Sequence, residues 1–474
     1  MPIISNRGER ATVVLDLGKT LSKLTLWAPD GRLLADLNRP NQPSDAGAYV
    51  ALDAAGIEAF IEKGLREFAR TAVIGDIIPV GHGAAAAIID GDRLAAPPLD
   101  YEHPIPAEIR RSYDAQRDPF LETGSPALPL GLNLGAQLHF LETLEPALLN
   151  ADRCIVTWAQ YWSWLLAGVA ASEVTSLGCH TDLWRPVARR PTQLALKRGW
   201  SERLAPLRDA GSVLGTLRAA WTERTGLPQD VRIHCGLHDS NAALLAARSY
   251  RELAGRESTV LSTGTWFVAM RTTEHGERAS IDSLDERRDC LMNVDAACGP
   301  VPSARFMGGR EVELLTSPET RRIDARPDQP ALLAMVPAVL AAGAMVLPTL
   351  VPGCGPFPHG RGRWISMPDG ELPRRAAIAL YAALVADVAL DLIGARERLL
   401  IEGRFSASQV FVRALASFRR DTQVYVCDAD SQAAFGALRL VHPGVSPSSS
   451  LIPVEPLAAD LMSYRERWRQ EAQL

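Results

Sequence analysis

The 474-residue sequence has no paired cysteines, no long apolar runs and no excess of positive charge. Its seven cysteines (Cys154, Cys179, Cys235, Cys290, Cys298, Cys354 and Cys427) are scattered without a C-x-x-C pair, and no His/Cys cluster has zinc spacing. They read as reduced, mostly buried thiols, which excludes a disulfide framework and a structural zinc site. Nowhere do about 18 apolar residues run unbroken; the richest stretch, residues 331–350, carries Pro337, Gly343 and Pro348. The opening residues MPIISNRGER hold no apolar stretch long enough for a secretory signal, so no membrane partner and a cytoplasmic location are expected. A formal net charge of -5 gives polyanions no general attraction and argues against nucleic acid. Neither G-x-x-x-x-G-K-[ST] nor G-x-G-x-x-G occurs in the required context, which removes Walker-type and Rossmann nucleotide sites.

What is present is the composition of an ordinary globular protein, 47% apolar and 22% charged. The length exceeds what one hydrophobic core fills, so two domains and a cleft are expected. Residues 11–15 form an apolar run that stops at Asp16-Leu17-Gly18-Lys19-Thr20 and resumes over 23–27; with residues 32–37 this predicts an antiparallel meander. A helix over 54–70 and a strand over 72–80 follow, the strand ending in Gly81-His82-Gly83. Downstream, residues 259–270 repeat the opening pattern around Ser262-Thr263-Gly264-Thr265, as two related halves would. Residues 374–396 predict a helix, 398–401 a strand, 406–418 a helix capped by Ser406, and 423–427 with 431–440 another strand and helix. Residues 110–129 read as loop, and a Pro/Ser-rich tail after Pro443 precedes a last short helix.

Gly18 with Lys19 and Thr20 suits a phosphate chain, because glycine lets the backbone approach closely and a lysine or hydroxyl adds donors. Asp16 would hold magnesium directly or through water. A merely polar hairpin turn would look the same, but the echo at Thr263, Gly264 and Thr265 offers a second grip on one nucleotide. Asp239 precedes a helix-like run, 240–247, and reads equally as a helix cap and as the acceptor of a hydroxyl proton in phosphoryl transfer. His82 is either an exposed turn histidine or a hydrogen-bond partner for an alcohol. Asp100 and Glu102 offer either paired carboxylates for sugar hydroxyls or a solvated acidic loop.

In this order the motifs resemble those of the FGGY carbohydrate kinases, within the actin, hexokinase and Hsp70 superfamily, from about Ala11 to Leu440. Asp16 to Thr20 resembles the first phosphate motif and Gly81-His82-Gly83 the early sugar loop. Gly226-Leu227-Pro228 with Gly236-Leu237-His238-Asp239 resembles the stretch bearing the catalytic aspartate, Leu261 to Trp266 the second phosphate motif, and Ala433-Ala434-Phe435-Gly436-Ala437 the closing helix. The Ser-Thr-Gly-Thr-Trp form and residues 174–181 are nearest to the rhamnulokinase and fuculokinase side.

The resemblance implies an α/β fold of two actin-like domains, residues 1–248 and 249–474, each with a central mixed sheet and facing across a cleft. It implies ATP and magnesium as cofactors and a ketose, such as a 6-deoxyketohexose or pentulose, as substrate, with Asp239 as general base. Sugar contacts would come from His82, Asp100, Glu102, Gln137, His180, Thr181 and His238, and phosphate or ATP contacts from Asp16, Gly18, Lys19, Thr20, Lys23, Thr263, Gly264, Thr265, Gly403 and Arg404. A homodimer is expected only from the frequency of symmetric pairs. Three positions depart from the pattern: Lys19 in the first turn, Glu402-Gly403-Arg404-Phe405 where many members have a glycine-rich adenosine turn, and an acidic loop without the Trp-x-Asp-x-Arg spacing. A sugar-sensing protein without catalysis and a sugar-independent ATPase are the rival readings.

Overall fold

The computed structural model describes residues 10–150, 152–273, 279–316, 322–427, 432–448 and 450–473. The first nine residues, where a leader would begin, and Ser431, the expected start of the closing helix, lie outside them. The chain forms two compact units: residues 1–249 with 292–300 and 431–448, and residues 250–291 with 301–430 and 449–474. A single cut after residue 248 therefore does not separate them.

In the first unit, strand β1 (Ala11–Leu17) is β-branched and buried along its length, as a central strand covered on both faces must be. It pairs antiparallel with β2 (Leu21–Trp27), which pairs with β3 (Leu33–Pro40). Helix α1 (Ala54–Phe68) starts at Asp53, whose Oδ1 accepts the Gly56 N–H at 2.8 Å, and buries Ile57, Ile61, Leu65 and Phe68 on one stripe. It returns the chain to β4 (Ile74–Gly81), parallel to β1. Past helix α2 (Trp158–Ala167), β5 (Val213–Thr216) and β6 (Arg232–His234) extend the sheet to the order β5-β6-β4-β1-β2-β3, and the short β7 (Leu237–His238) also pairs with β4. Helix α3 (Asp239–Ala247) follows at once, and the later helix Gln432–Val441 packs against it with Gly436 facing the Ala242 carbonyl.

In the second unit, β8 (Ser258–Thr263) and β9 (Phe267–Thr272) form a hairpin, and β10 (Pro300–Phe306) lies beside β9. Helix α4 (Gly308–Leu315) follows β10. Helix α5 (Glu371–Leu392) is buried on nearly all sides. It leads to β11 (Arg398–Gly403), parallel to β8, then to helix α6 (Gln409–Phe418), β12 (Gln423–Val426) and the short β13 (Ile452–Pro453), for a strand order of β10-β9-β8-β11-β12-β13. Helix α7 (Met462–Glu471) closes the unit.

Both units thus use one plan, a hairpin whose first strand pairs parallel with a later one. Leu17 stands opposite Gly81 in one, and Thr263 opposite Gly403 in the other.

Two expectations need correction. Residues 110–129 are not all loop: Ala107–Asp114 and Phe120–Thr123 are helical, the first held by Arg110 to Asp114 one turn on and by buried Tyr113, whose hydroxyl donates to Asp182. Ser406 caps no helix; it lies in a 3-10 turn and donates to the Gly403 carbonyl at 2.8 Å, and α6 begins after Ser408. The seven cysteines are free thiols. Among the described residues no helix is long and apolar enough to cross a membrane.

Candidate active site

Asp16 stands near the carboxyl end of β1, opposite Val80 of β4, and Val80 in turn pairs with Leu237 of β7. Three adjacent parallel strands therefore bring Asp16, Gly81-His82 and His238-Asp239 to one sheet edge, the end at which α/β sheets present their ligand-binding groups.

The first turn is tight. The Gly18 N–H donates to the Leu21 carbonyl at 3.1 Å, and a side chain at Gly18 would sit 2.9 Å from that oxygen. Asn41 braces the turn by donating to the Gly18 carbonyl at 2.8 Å, while Ser22 and Arg39 donate to the Asn41 amide oxygen at 3.0 Å each. Burial pushes the Asp16 carboxyl up to about 7; the nearby charge of Asp239 adds to this and Lys23, opposite Asp16 on β2, opposes it. A carboxyl pressed in this way gains from a hard cation that keeps part of its water shell, so Asp16 suits magnesium. Among the described residues no group of three or more His, Cys, Asp or Glu side chains forms a ready-made metal site.

Lys19 reaches the acidic loop. Its ammonium pairs with the buried Asp100 carboxylate, lies 3.7 Å from Glu102 and sits 5.5 Å from the centre of the Tyr101 ring. The other Asp100 oxygen accepts the Glu102 N–H at 2.9 Å. A cavity of about 370 Å3 opens here, lined by the first turn, His82, Asp100, Glu102 and Trp158. His82 Nδ1 donates to the Gly83 carbonyl at 2.8 Å, and its ring packs against Tyr101 and Trp158. Burial holds its pKa below the ordinary value, so the ring is neutral at pH 7 and Nε2 is an acceptor for a hydroxyl.

Asp239 is the first residue of α3, and His238 rather than Asp239 occupies the cap position. Its Oδ1 accepts from the Ser240 N–H at 2.6 Å and the Ser240 hydroxyl at 3.1 Å.

Three expected sugar contacts have polar atoms engaged by the chain itself. Gln137 is buried and its amide donates to the carbonyls of Ala84 and Gly131, both at 2.6 Å, so it staples loops. Thr181 spends its hydroxyl on the Leu177 carbonyl and accepts the Leu183 N–H at 3.2 Å. His180 bonds the Leu132 carbonyl through Nδ1 at 2.6 Å.

In the second unit, Gly264 and Thr265 form an exposed turn closed by the Gly264 N–H on the Trp266 carbonyl at 3.0 Å. Thr263 points inward and accepts the Phe405 N–H at 3.1 Å, which binds the turn to Gly403-Arg404-Phe405. Gly403 has φ of 80°, and any side chain there would strike the Thr263 carbonyl. Arg404 is ion-paired: its guanidinium lies 3.2 Å from Asp324 and 3.7 Å from Glu313. The turn also rests on Gly308-Gly309, which open α4, and a side chain at Gly309 would collide with the Gly264 carbonyl. Sequence reasoning missed this glycine pair, Asn41 and Trp158. The adjacent glycines after an apolar strand were the one local signal available.

A profile described as the C-terminal domain of the FGGY carbohydrate kinases matches residues 255–448. The chain is 53% identical to a carbohydrate kinase from Novosphingobium aromaticivorans of known structure, over 98% of this chain and 99% of that one, with a TM-score of 0.91. A segment of 147 residues is 29% identical to the L-fuculokinase of Haemophilus influenzae, spanning 30% of this chain and 29% of that enzyme. In fold it is similar to the xylulose kinase of Rhodospirillum rubrum (19% identity, TM-score 0.76, 98% of both chains) and to the glycerol kinase of Plasmodium falciparum solved with ADP (12% identity, TM-score 0.79, 98% of both chains).

Proposed function

This chain belongs to the FGGY carbohydrate kinase family, and from that premise we propose that it transfers the γ-phosphoryl group of ATP to a hydroxyl of a ketose, with Asp239 as general base. One observation carries the reading: an aspartate at a helix start, a neutral histidine and a second carboxyl converge at the ends of three neighbouring strands, beside a cavity lined by a phosphate-type turn.

Phosphoryl transfer asks the protein for position, charge neutralisation and a proton acceptor. The His82 Nε2 accepts a hydrogen bond from a sugar hydroxyl, and the loop held by Lys19, Asp100 and Glu102 supplies further polar contacts. Asp239 takes the proton of the attacking hydroxyl. Asp16 would hold magnesium directly or through water, where the ion would supply charge neutralisation for the phosphates. In the second unit, the exposed Thr265 serves the nucleotide phosphates, with the Gly264 turn set by its own bond to Trp266 and Gly403 and Gly309 keeping the space behind it clear. A 6-deoxyketohexose or a pentulose is the substrate class we take forward, and the cavity of about 370 Å3 with its polar and aromatic lining offers room for one.

The test is ADP release with ATP and magnesium across L-fuculose, L-rhamnulose, D-xylulose, D-ribulose and glycerol. Release that depends on a ketose supports the proposal. Sugar-independent release makes the protein an ATPase, and nucleotide binding without release makes it a sensor.

A further inference from the structure

Three buried side chains with no part in the mechanism above converge on Asp239. His238 Nε2 lies 3.2 Å from Asp239 Oδ1 and 3.4 Å from Cys179 Sγ. On the other side of the ring, Nδ1 lies 3.5 Å from the amide nitrogen of Asn241. Asn241 is 1% exposed, and its Oδ1 is buried with no hydrogen-bond partner. Turning that amide about its last bond sets Oδ1 against Nδ1 as its acceptor and moves the amide NH2 to the place Oδ1 leaves. An imidazole that donates from Nδ1 to an amide oxygen and from Nε2 toward a sulfur and a carboxylate carries both protons.

The surrounding charges favour that state. Burial works against a charged ring, but Cys179 and Asp239 outweigh it and hold His238 up at about 9. Burial likewise disfavours the Cys179 thiolate, yet His180 and His238 bring that thiol down to about 5. Glu173 also faces the ring; its carboxylate is held by Thr175 and Ser176, and Thr175 Oγ1 accepts the His238 backbone N–H at 3.0 Å. Asp239 itself is faced by Asp16 and His82. Gly83 closes the cluster, since a side chain there would meet Cys179 Sγ at 2.8 Å and His238 Nε2 at 3.0 Å.

We infer that His238 is a positioning residue that does not touch the sugar: as an imidazolium set between Cys179 and Asn241 it pins Asp239 Oδ1, together with Ser240, so that Oδ2 faces the attacking hydroxyl. This rests on the reading of Asp239 as general base. When the ring loses a proton to solvent, the remaining one stays on Nδ1 toward Asn241, and the Nε2 lone pair opposes Oδ1 and the thiolate. Oδ1 then loses its charge-assisted bond and Asp239 its fixed orientation. Turnover therefore falls as pH rises through the ring's pKa, while substrate binding holds.

The experiment measures kcat and both KM values against pH for the full chain with ATP, magnesium and L-fuculose or D-xylulose, whichever turns over faster. His238→Gln is expected to lower kcat by about 10- to 100-fold and to remove the alkaline decline, with both KM values within about threefold of wild type. Cys179→Ala is expected to move that decline to lower pH, because the thiolate that raises the His238 pKa is gone. It decides the matter if His238→Gln does not fold. A wild-type kcat and pH profile in His238→Gln, a raised sugar KM with kcat kept, or an unmoved decline in Cys179→Ala each overturns the inference. Asp239→Asn run alongside separates the two levels. If it loses turnover while His238→Gln does not, only the positioning role falls; if it keeps wild-type turnover, the general-base reading falls with it.

Discussion

Lys19 occupies a phosphate-type turn, yet its ammonium is paired with Asp100 and lies near Glu102. Removing it leaves a buried carboxylate without its cation and releases the loop that borders the cavity, so Lys19→Met should raise the sugar KM about tenfold and leave the nucleotide KM within about twofold. A change in the nucleotide KM alone would assign the lysine to the phosphates instead. His82 is neutral at pH 7 because burial holds its pKa down. His82→Ala should then cost about tenfold in kcat/KM for the sugar, and the sugar KM of wild type should stay flat as pH rises from about 6.5 to about 8. Steady-state kinetics at several pH values checks both. That Asp16, His82 and Asp239 lie at one end of the sheet was legible in the sequence, because each stands at or just past the end of an apolar strand. The donors of Gln137 and Thr181 were not, since they go to carbonyls that only the folded chain brings near.

Glycines decide the geometry where elements meet. Gly309 at the start of α4 lies under the Gly264 carbonyl, and Gly309→Ala must displace the second turn. The expected outcome is a nucleotide KM raised at least about tenfold with the sugar KM little changed, read by varying each substrate in turn. Gly436 of the closing helix lies against the Ala242 carbonyl of α3, the helix that begins with Asp239. Gly436→Ala should cost about 1–3 kcal/mol of stability and lower kcat as well, because the helix carrying Asp239 must shift. Denaturant unfolding and kinetics on the same preparation check the pair. At this scale the two hairpins and the strands near 72–80, 398–401 and 423–427 were easy to read, since apolar runs and turn residues mark them locally. Strands β5, β6, β7 and β10 are too short or too mixed in pattern to stand out. The helices at 107–114 and 120–123 were hidden by a charged, proline-bounded sequence with few apolar anchors, of which Tyr113 gains its meaning from Asp182 far along the chain.

Across the whole molecule the repeated hairpin plan was readable from the echo of the first turn at residues 262–265, but the exchange of segments 292–300 and 431–448 into the first unit was not. No local pattern announces which unit a segment joins. The second unit is tied together by Asp387 of α5, fully buried and bonded to Arg419 at 3.1 Å and to Arg465 and Arg469 at 2.7 Å. Asp387→Ala leaves three guanidinium groups short of a partner and should destabilise that unit by about 3–5 kcal/mol, seen as an earlier unfolding step in a calorimetric scan. Burial works against the neighbouring Asp391 carboxylate, but hydrogen bonds from Arg469 and Arg419 outweigh it and hold its pKa below the ordinary value. Its contribution is therefore present above the unfolded carboxyl pKa and is lost as pH falls through the folded one, so acid should lower the same step. The central claim, phosphoryl transfer with Asp239 as base, is tested most directly by sugar-dependent ADP release from wild type and Asp239→Asn, with ATP binding measured on both. The account predicts that Asp239→Asn binds ATP as wild type does and loses about 10²–10⁴-fold in kcat; an Asp239→Asn enzyme that releases ADP at the wild-type, sugar-dependent rate would contradict it.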